Sequence, residues 1–219
     1  MNGEDLHIIK NVGEWFTQDT LSQIWRSGKI THVDKVVCGS GATTAFLNLK
    51  PSNGKVNVLI VPNVNIAKSK EKAYRCGDFS HTGLSMNFIY QGSSSKNVYD
   101  HDILVVVIDS FFNIKALREK QIQFDKILVD EFHSCEYQSS FRKSLHEFER
   151  RMRPFTEVAD VATITASPNM FSPIDIRVQM EFVPRQTIHL SEDFDETLYR
   201  ISKLLKEGAK VAMFTNSTT

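Results

Sequence analysis

The sequence predicts an α/β fold, a mostly parallel sheet with helices on both faces, and three observations carry that expectation. Several β-prone runs are continuously apolar instead of alternating, which is how strands read when both faces of a sheet are covered. Helix-like stretches separate those runs, the rhythm of βαβ units. The conspicuous polar clusters follow the carboxyl ends of runs, where open α/β sheets bind their ligands.

Along the chain, residues 12–28 read as a helix carrying Val12, Trp15, Phe16, Leu21, Ile24 and Trp25, with Asp19 or Thr20 as cap and Gly28 as stop. The apolar run 33–37 leads into a loop containing Gly39 and Gly41. The next strand is 55–61, ended by Pro62. Phe88-Ile89-Tyr90 is a short strand, and the runs 103–108, 127–129 and 161–164 end at Asp109, Asp130 and Thr165. The intervening helical stretches are 43–50, 64–75, 110–120 and 138–152, while the glycine-containing stretches 77–83 and 92–95 read as loops. After Pro184 the character changes: residues 193–207 place Phe194, Leu198, Ile201, Leu204 and Leu205 on one helical face, Gly208 ends that helix, and Lys210-Val211-Ala212-Met213-Phe214 reads as one further strand.

Composition narrows the classes. Apolar residues make up 41% of the 219, enough for a packed core and against global disorder. Lys+Arg and Asp+Glu balance at 26 each, so any nucleic-acid contact must come from a local face and not from a global basic excess. Cys38, Cys76 and Cys135 are far apart and odd in number, which argues against a disulfide framework or a zinc site and fits a reducing, intracellular compartment, cytoplasmic or else viral or nuclear. No apolar run approaches the ~18 residues that span a bilayer, so no membrane partner is expected.

The chemistry-bearing motifs begin with Val36-Val37-Cys38-Gly39-Ser40-Gly41-Ala42-Thr43-Thr44. It follows the pattern of a phosphate-binding loop, G-x-x-x-x-G-K-[ST], except that Val36 replaces the first Gly and Ala42 replaces the Lys. Such loops work because successive backbone N–H groups at a helix start point at phosphate oxygens, and the missing Lys normally contacts the β/γ phosphates. Lys35 and Lys50 are the nearby lysines that could substitute. Lys126-Ile127-Leu128-Val129-Asp130-Glu131-Phe132-His133 supplies an acidic pair at a strand end, and Thr165-Ala166-Ser167 closes another strand. In the basic stretch 141–153, Phe141, Leu145, Phe148 and Met152 lie at helical spacing and read as a core stripe, leaving the arginines on a solvated face. Trp15, Phe16 and Trp25 could stack on an adenine and read first as core.

The order of these motifs resembles the first RecA-like domain of superfamily 2 helicases, the DEAD/DEAH-like group, over roughly residues 15–185. Gly39-Ser40-Gly41-Ala42-Thr43 is similar to motif I without its Lys, Val58-Leu59-Ile60-Val61-Pro62-Asn63 to motif Ia, Asp130-Glu131-Phe132-His133 to motif II, and Thr165-Ala166-Ser167 to motif III. The resemblance implies a RecA-like P-loop NTPase domain over 1–185, followed over 186–219 by a linker helix and the first strand of a second, truncated RecA-like domain. It implies ATP and Mg²⁺ as cofactors and an ATP-dependent helicase or translocase activity on DNA or RNA. Gly39, Ser40, Gly41, Ala42, Thr43 and Thr44 would hold the phosphates, and Thr43 and Asp130 the metal. Glu131 would activate water, and His133 would couple nucleotide state to the facing lobe. Thr165 and Ser167 would link the nucleotide site to the nucleic-acid face. Pro62, Asn63, Ser110 and Phe111 would meet the nucleic-acid backbone. The alternative is a catalytically degenerate P-loop module that acts as a nucleic-acid- or protein-binding scaffold, which Ala42 favours and the retained Asp130-Glu131 pair opposes.

Overall fold

The computed structural model describes residues 6–13, 15–91, 101–113, 123–133, 148–168, 174–181 and 194–206. The chain divides into two compact units, Met1–Phe182 and Val183–Thr219. In the second unit, helix Phe194–Lys206 is described. The strand expected at 210–214 lies outside the described residues.

The first unit is built on eight parallel strands: β1 (His7–Asn11), β2 (Ile30–Asp34), β3 (Val56–Val61), β4 (Met86–Ile89), β5 (Ile103–Val107), β6 (Phe124–Asp130), β7 (Asp160–Thr165) and β8 (Ile176–Met180). Their order across the sheet is β1-β8-β2-β7-β6-β3-β5-β4, and every pairing is parallel. Among the described residues of this unit the α-helices are α1 (Gln18–Ser22), α2 (Ala42–Leu47), α3 (Val64–Arg75), α4 (Ile108–Phe111) and α5 (Phe148–Met152).

The continuous apolar runs have the expected cause. All six residues of β3 are buried, and they divide by alternation between two cores. Leu59 and Val61 join Phe16, Leu21, Phe46 and Leu47 on one face. Val56, Val58 and Ile60 join Leu104, Val106, Phe111, Phe148 and Met152 on the other. Helices and loops therefore cover both faces, and a strand with no solvated side has no polar positions to alternate. Phe148 and Met152 confirm their half of the apolar stripe in 141–153, while Phe141 and Leu145 lie outside the described residues. Arg151 covers that core, its guanidinium 3.8 Å from the Phe112 ring centroid.

Two expectations are corrected. Residues 12–28 do not form one helix. Only Gln18–Ser22 is helical, capped by the Thr17 side chain, which accepts from the N–H of Thr20. Gly13 sits at φ +96, and buried Asn11 fixes the preceding segment by accepting from Thr17 N–H and donating to the carbonyl of Trp15. Val12 and Trp15 are consequently exposed, not core. Strand β2 also stops at Asp34, short of the expected run 33–37, because the chain turns at Val36.

Candidate functional site

Strand order decides what meets. β7 lies between β2 and β6, so the segments leaving their carboxyl ends, at residues 35, 131 and 166, are neighbours. β3 and β5 adjoin on the far side of β6 and bring the segments starting at 62 and 108 alongside.

The first segment is the glycine loop, shaped from its first residue. The buried Asp34 carboxylate accepts from Val36 N–H at 2.8 Å and pairs with Arg177 Nε at 2.9 Å. Val37 N–H turns back to the carbonyl of Lys35, closing a three-residue turn centred on Val36 at φ +59. A β-branched residue at positive φ is an outlier for L-amino acids. Val36 stands where the motif has its first Gly, so the loop keeps the glycine-like backbone without the glycine. Gly39 and Gly41 follow at φ +70 and +82. A Cβ on Gly41 would stand 3.2 Å from Trp15 Cε3, so the exposed Trp15 lies directly over the loop. Phe16 N–H donates to the Ser40 carbonyl at 2.7 Å and ties the upstream segment to the loop. The buried Ser40 Oγ has no hydrogen-bond partner. Ala42, the first residue of α2, is a core residue, Thr43 is half-buried and Thr44 exposed.

The loop meets the acidic pair through side chains. Thr43 Oγ1 donates to Asp130 Oδ2 at 2.9 Å. Lys35 Nζ donates to the other oxygen of the same carboxylate, Oδ1, at 3.3 Å, and to Glu131 Oε1 at 2.7 Å. Lys35 is buried, with 6% of its side chain exposed, and its backbone N–H continues the β2–β7 pairing by donating to the Thr165 carbonyl at 2.8 Å. Burial is the largest influence on the ammonium and would lower its pKa. The Asp130 charge, the Glu131 hydrogen bond and charge, and the Asp130 hydrogen bond together outweigh it and raise the pKa above the ordinary 10.5. Glu131 also holds a positive φ, +50.

The third segment closes the network. Thr165 Oγ1 lies 2.7 Å from His133 Nδ1, accepts from Ser167 N–H at 3.1 Å and lies 3.5 Å from Glu131 Oε2. His133 Nδ1 is itself 3.2 Å from Glu131 Oε2. One hydroxyl thus touches Glu131 and His133 of the acidic motif and the backbone of residue 167.

The residues expected at the nucleic-acid backbone fare unequally. Asn63 is exposed and caps α3, its Oδ1 accepting from Ile66 N–H at 3.1 Å. Ser110 is half-buried in α4, and Pro62 is buried. Phe111 is fully buried between Phe112 and Phe155 in the second core. The ring packs in the second core, and the nucleic-acid contact expected of it stays an expectation from sequence. Lys50, the other candidate to replace the missing Lys, lies exposed beyond the carboxyl end of α2. Asn11 and Gln18 are the contributors that sequence reading missed. Asn11 organises the segment over the loop, and Gln18 Nε2 donates to the Ala45 carbonyl in α2. Neither stands out in sequence, because an Asn at a strand end and a Gln in a helix are ordinary.

The family model described as type III restriction enzyme, res subunit, matches residues 19–156. None of the curated proteins matches the chain. Among solved structures the chain is similar to the Sulfolobus solfataricus SWI2/SNF2 ATPase core in complex with dsDNA, at 16% identity and a TM-score of 0.40. That similarity covers 63% of this chain and 28% of the other, so the chain spans under a third of that structure's length.

Proposed function

The chain belongs to the type III restriction enzyme res subunit family, within the superfamily 2 helicase-like ATPases with a RecA-like fold, and from that premise we propose that it binds Mg-ATP and hydrolyses it to drive remodelling of DNA or RNA. The observation that carries this reading is the 2.9 Å hydrogen bond from Thr43 Oγ1 to Asp130 Oδ2. It joins the proposed phosphate loop to the carboxylate proposed to hold the metal, 87 residues away in sequence, and so supports a nucleotide site.

The donor set suits Mg²⁺. One carboxylate and one hydroxyl leave positions for phosphate oxygens and water, which is how Mg²⁺ is usually held with nucleotides. Among the described residues no cluster of three or more His, Cys, Asp or Glu builds an all-protein cage, the arrangement Mg²⁺ seldom uses. Thr43 and Asp130 would hold the ion, which neutralises developing charge on the phosphates when bound. The backbone N–H groups of Gly39, Ser40 and Gly41 would cradle the phosphates, with the Thr44 hydroxyl as a second donor. Glu131 Oε2 would accept the proton of the attacking water. His133 and Thr165, joined at 2.7 Å, would pass the state of that site to Ser167 and the nucleic-acid face. Asn63 and Ser110 would meet phosphates of the nucleic-acid backbone, contacts that carry no base specificity. An arginine supplied in cis or in trans commonly stabilises the transition-state charge in phosphoryl transfer. Free, exposed Cys38 and Cys76 suit a reducing compartment.

Calorimetric titration of Mg-ATP and Mg-ADP into the chain and into Asp130→Ala tests the reading. Saturable binding that Asp130→Ala weakens supports it. No binding at millimolar nucleotide removes it and leaves a scaffold role.

A further inference from the structure

We propose that Lys35 is the phosphate-contacting cation of this site, supplying from the end of β2 the charge that Ala42 cannot, by moving its ammonium from Asp130 and Glu131 to the terminal phosphates of a bound nucleoside triphosphate. This rests on the nucleotide-site reading above and adds to it a residue outside the motif.

Three observations converge on Lys35. Its ammonium and the Thr43 hydroxyl contact opposite oxygens of one carboxylate, Asp130. The ammonium is therefore already at the acidic pair beside the loop, one carboxylate away from the hydroxyl. Second, lysines are almost never fully buried without a reason, and a buried ion pair is weak as a stabilising device because desolvation offsets attraction. Lys35 is 4% exposed and spans two carboxylates. Third, the turn that follows it holds Val36 at φ +59, a strained conformation of the kind that persists at functional sites. That turn begins at the Lys35 carbonyl, and the Lys35 N–H is fixed to the Thr165 carbonyl. The backbone is held on both sides, while the side chain alone bridges to the acids.

The position that normally carries the cation holds a buried, uncharged side chain here. Ala42 is 2% exposed and packs in the core cluster with Phe16, Ala45 and Phe46. Lys35 approaches the same acidic pair from the strand side. Without nucleotide, the ammonium offsets the charge of Asp130 and Glu131. With nucleotide, phosphate oxygens compete for its three N–H donors, and a charge-assisted contact replaces a carboxylate one.

The test uses the full chain and two readouts. Mg-ATP is titrated by calorimetry into wild type, Asp130→Ala and Lys35→Met. Loss of one charged hydrogen-bonding partner is expected to weaken Lys35→Met binding roughly ten- to hundredfold. Wild type that binds and Asp130→Ala that weakens, together with Lys35→Met that binds as wild type or tighter, keeps the nucleotide site and overturns the proposal. Wild type without binding removes both. Because Lys35→Met leaves two carboxylates uncompensated and can fail to fold, the second readout needs only folded wild type. The Lys35 ammonium ¹H–¹⁵N resonance, assigned by its loss in Lys35→Arg, should shift with Mg-ATP and not with Mg²⁺ or Mg-AMP. A resonance unmoved by saturating Mg-ATP, or moved equally by Mg-AMP, overturns the proposal.

Discussion

The Lys35 ammonium donates to Glu131 Oε1 at 2.7 Å, and backbone strain lies on both sides of that contact. Val36, adjacent to Lys35, has φ +59, and Glu131 itself has φ +50. These two are the non-glycine residues at positive φ among the described residues. Among the described residues the non-glycine positive-φ strain thus lies where the glycine loop faces the acidic pair, and each side carries one half of an ion pair.

That pair sets an alkaline limit. The folded-state pKa of Lys35 lies above the ordinary 10.5. A group raised on folding contributes stability that is fully present below its unfolded pKa and is lost as pH rises through its folded value. Removing the ammonium by Lys35→Met should cost about 3–5 kcal/mol at neutral pH, because Asp130 is left buried without its partner. The stability gap between wild type and variant should stay flat through neutral pH and narrow only above about pH 10.5. Urea unfolding of both proteins across pH checks this. A gap that already closes between about pH 7 and 9 contradicts the raised pKa.

Val36 makes an opposite prediction. A residue forced to left-handed φ costs about 1–3 kcal/mol, of which glycine's greater unfolded-state freedom returns about 0.5–1 kcal/mol. Val36 is 48% exposed, so little apolar burial is lost with its side chain. Val36→Gly should therefore raise the unfolding free energy by about 1 kcal/mol, measured in urea. Destabilisation instead would mean that the side chain holds the turn by contact.

Asn11 is the hidden support of the segment above the loop. It is fully buried, accepts from Thr17 N–H at 3.1 Å and Thr20 Oγ1 at 2.6 Å, and donates to the Trp15 carbonyl at 3.0 Å. Asn11→Ala leaves several buried groups without partners and should cost about 2–4 kcal/mol, given about 1–3 kcal/mol for each such group. Since this segment places Trp15 against Gly41, nucleotide affinity should fall with it. Unchanged stability in Asn11→Ala would show that water replaces the amide.

These cases also show what the sequence makes legible. The central strands β3, β5, β6 and β7 are readable because burial on two faces removes polar residues from the run. The edge strand β1 and its neighbour β8 were not read. Their burial alternates, as in Ile176 and Val178 inside with Arg177 and Gln179 outside, but over only five residues each. The loop and the acidic pair announce themselves as local patterns, because their chemistry depends on backbone spacing. Lys35 stands out in sequence only as one of two nearby lysines, since its reach to the acidic pair depends on the β2–β7 pairing, in which Thr165 is the register partner of Asp34 and accepts from Lys35 N–H. Phe111 shows the converse. An aromatic residue at a strand end looks displayed in sequence, whereas the ring turns into the Phe112–Phe155 cluster.

Thr165 offers the sharpest test of communication through the site. Its hydroxyl meets His133 Nδ1 at 2.7 Å and Ser167 N–H at 3.1 Å, whereas its carbonyl, which accepts from Lys35 N–H, belongs to the backbone. Thr165→Val removes the hydroxyl at nearly constant shape and leaves that carbonyl in place. Stability should drop by about 1–3 kcal/mol, the cost of unpaired polar groups. The metal and phosphate contacts proposed for Thr43, Asp130 and Lys35 are untouched, so Mg-ATP affinity alone should change by less than about threefold, under 1 kcal/mol. The ratio of Mg-ATP affinities with and without a saturating oligonucleotide should fall toward one, because coupling between two sites is a free energy of about 1–3 kcal/mol carried by the contacts between them. Paired titrations of wild type and Thr165→Val measure that ratio directly. An equal ratio in both proteins removes Thr165 from the coupling path, and a wild-type ratio of one shows that this lobe alone does not couple the two ligands.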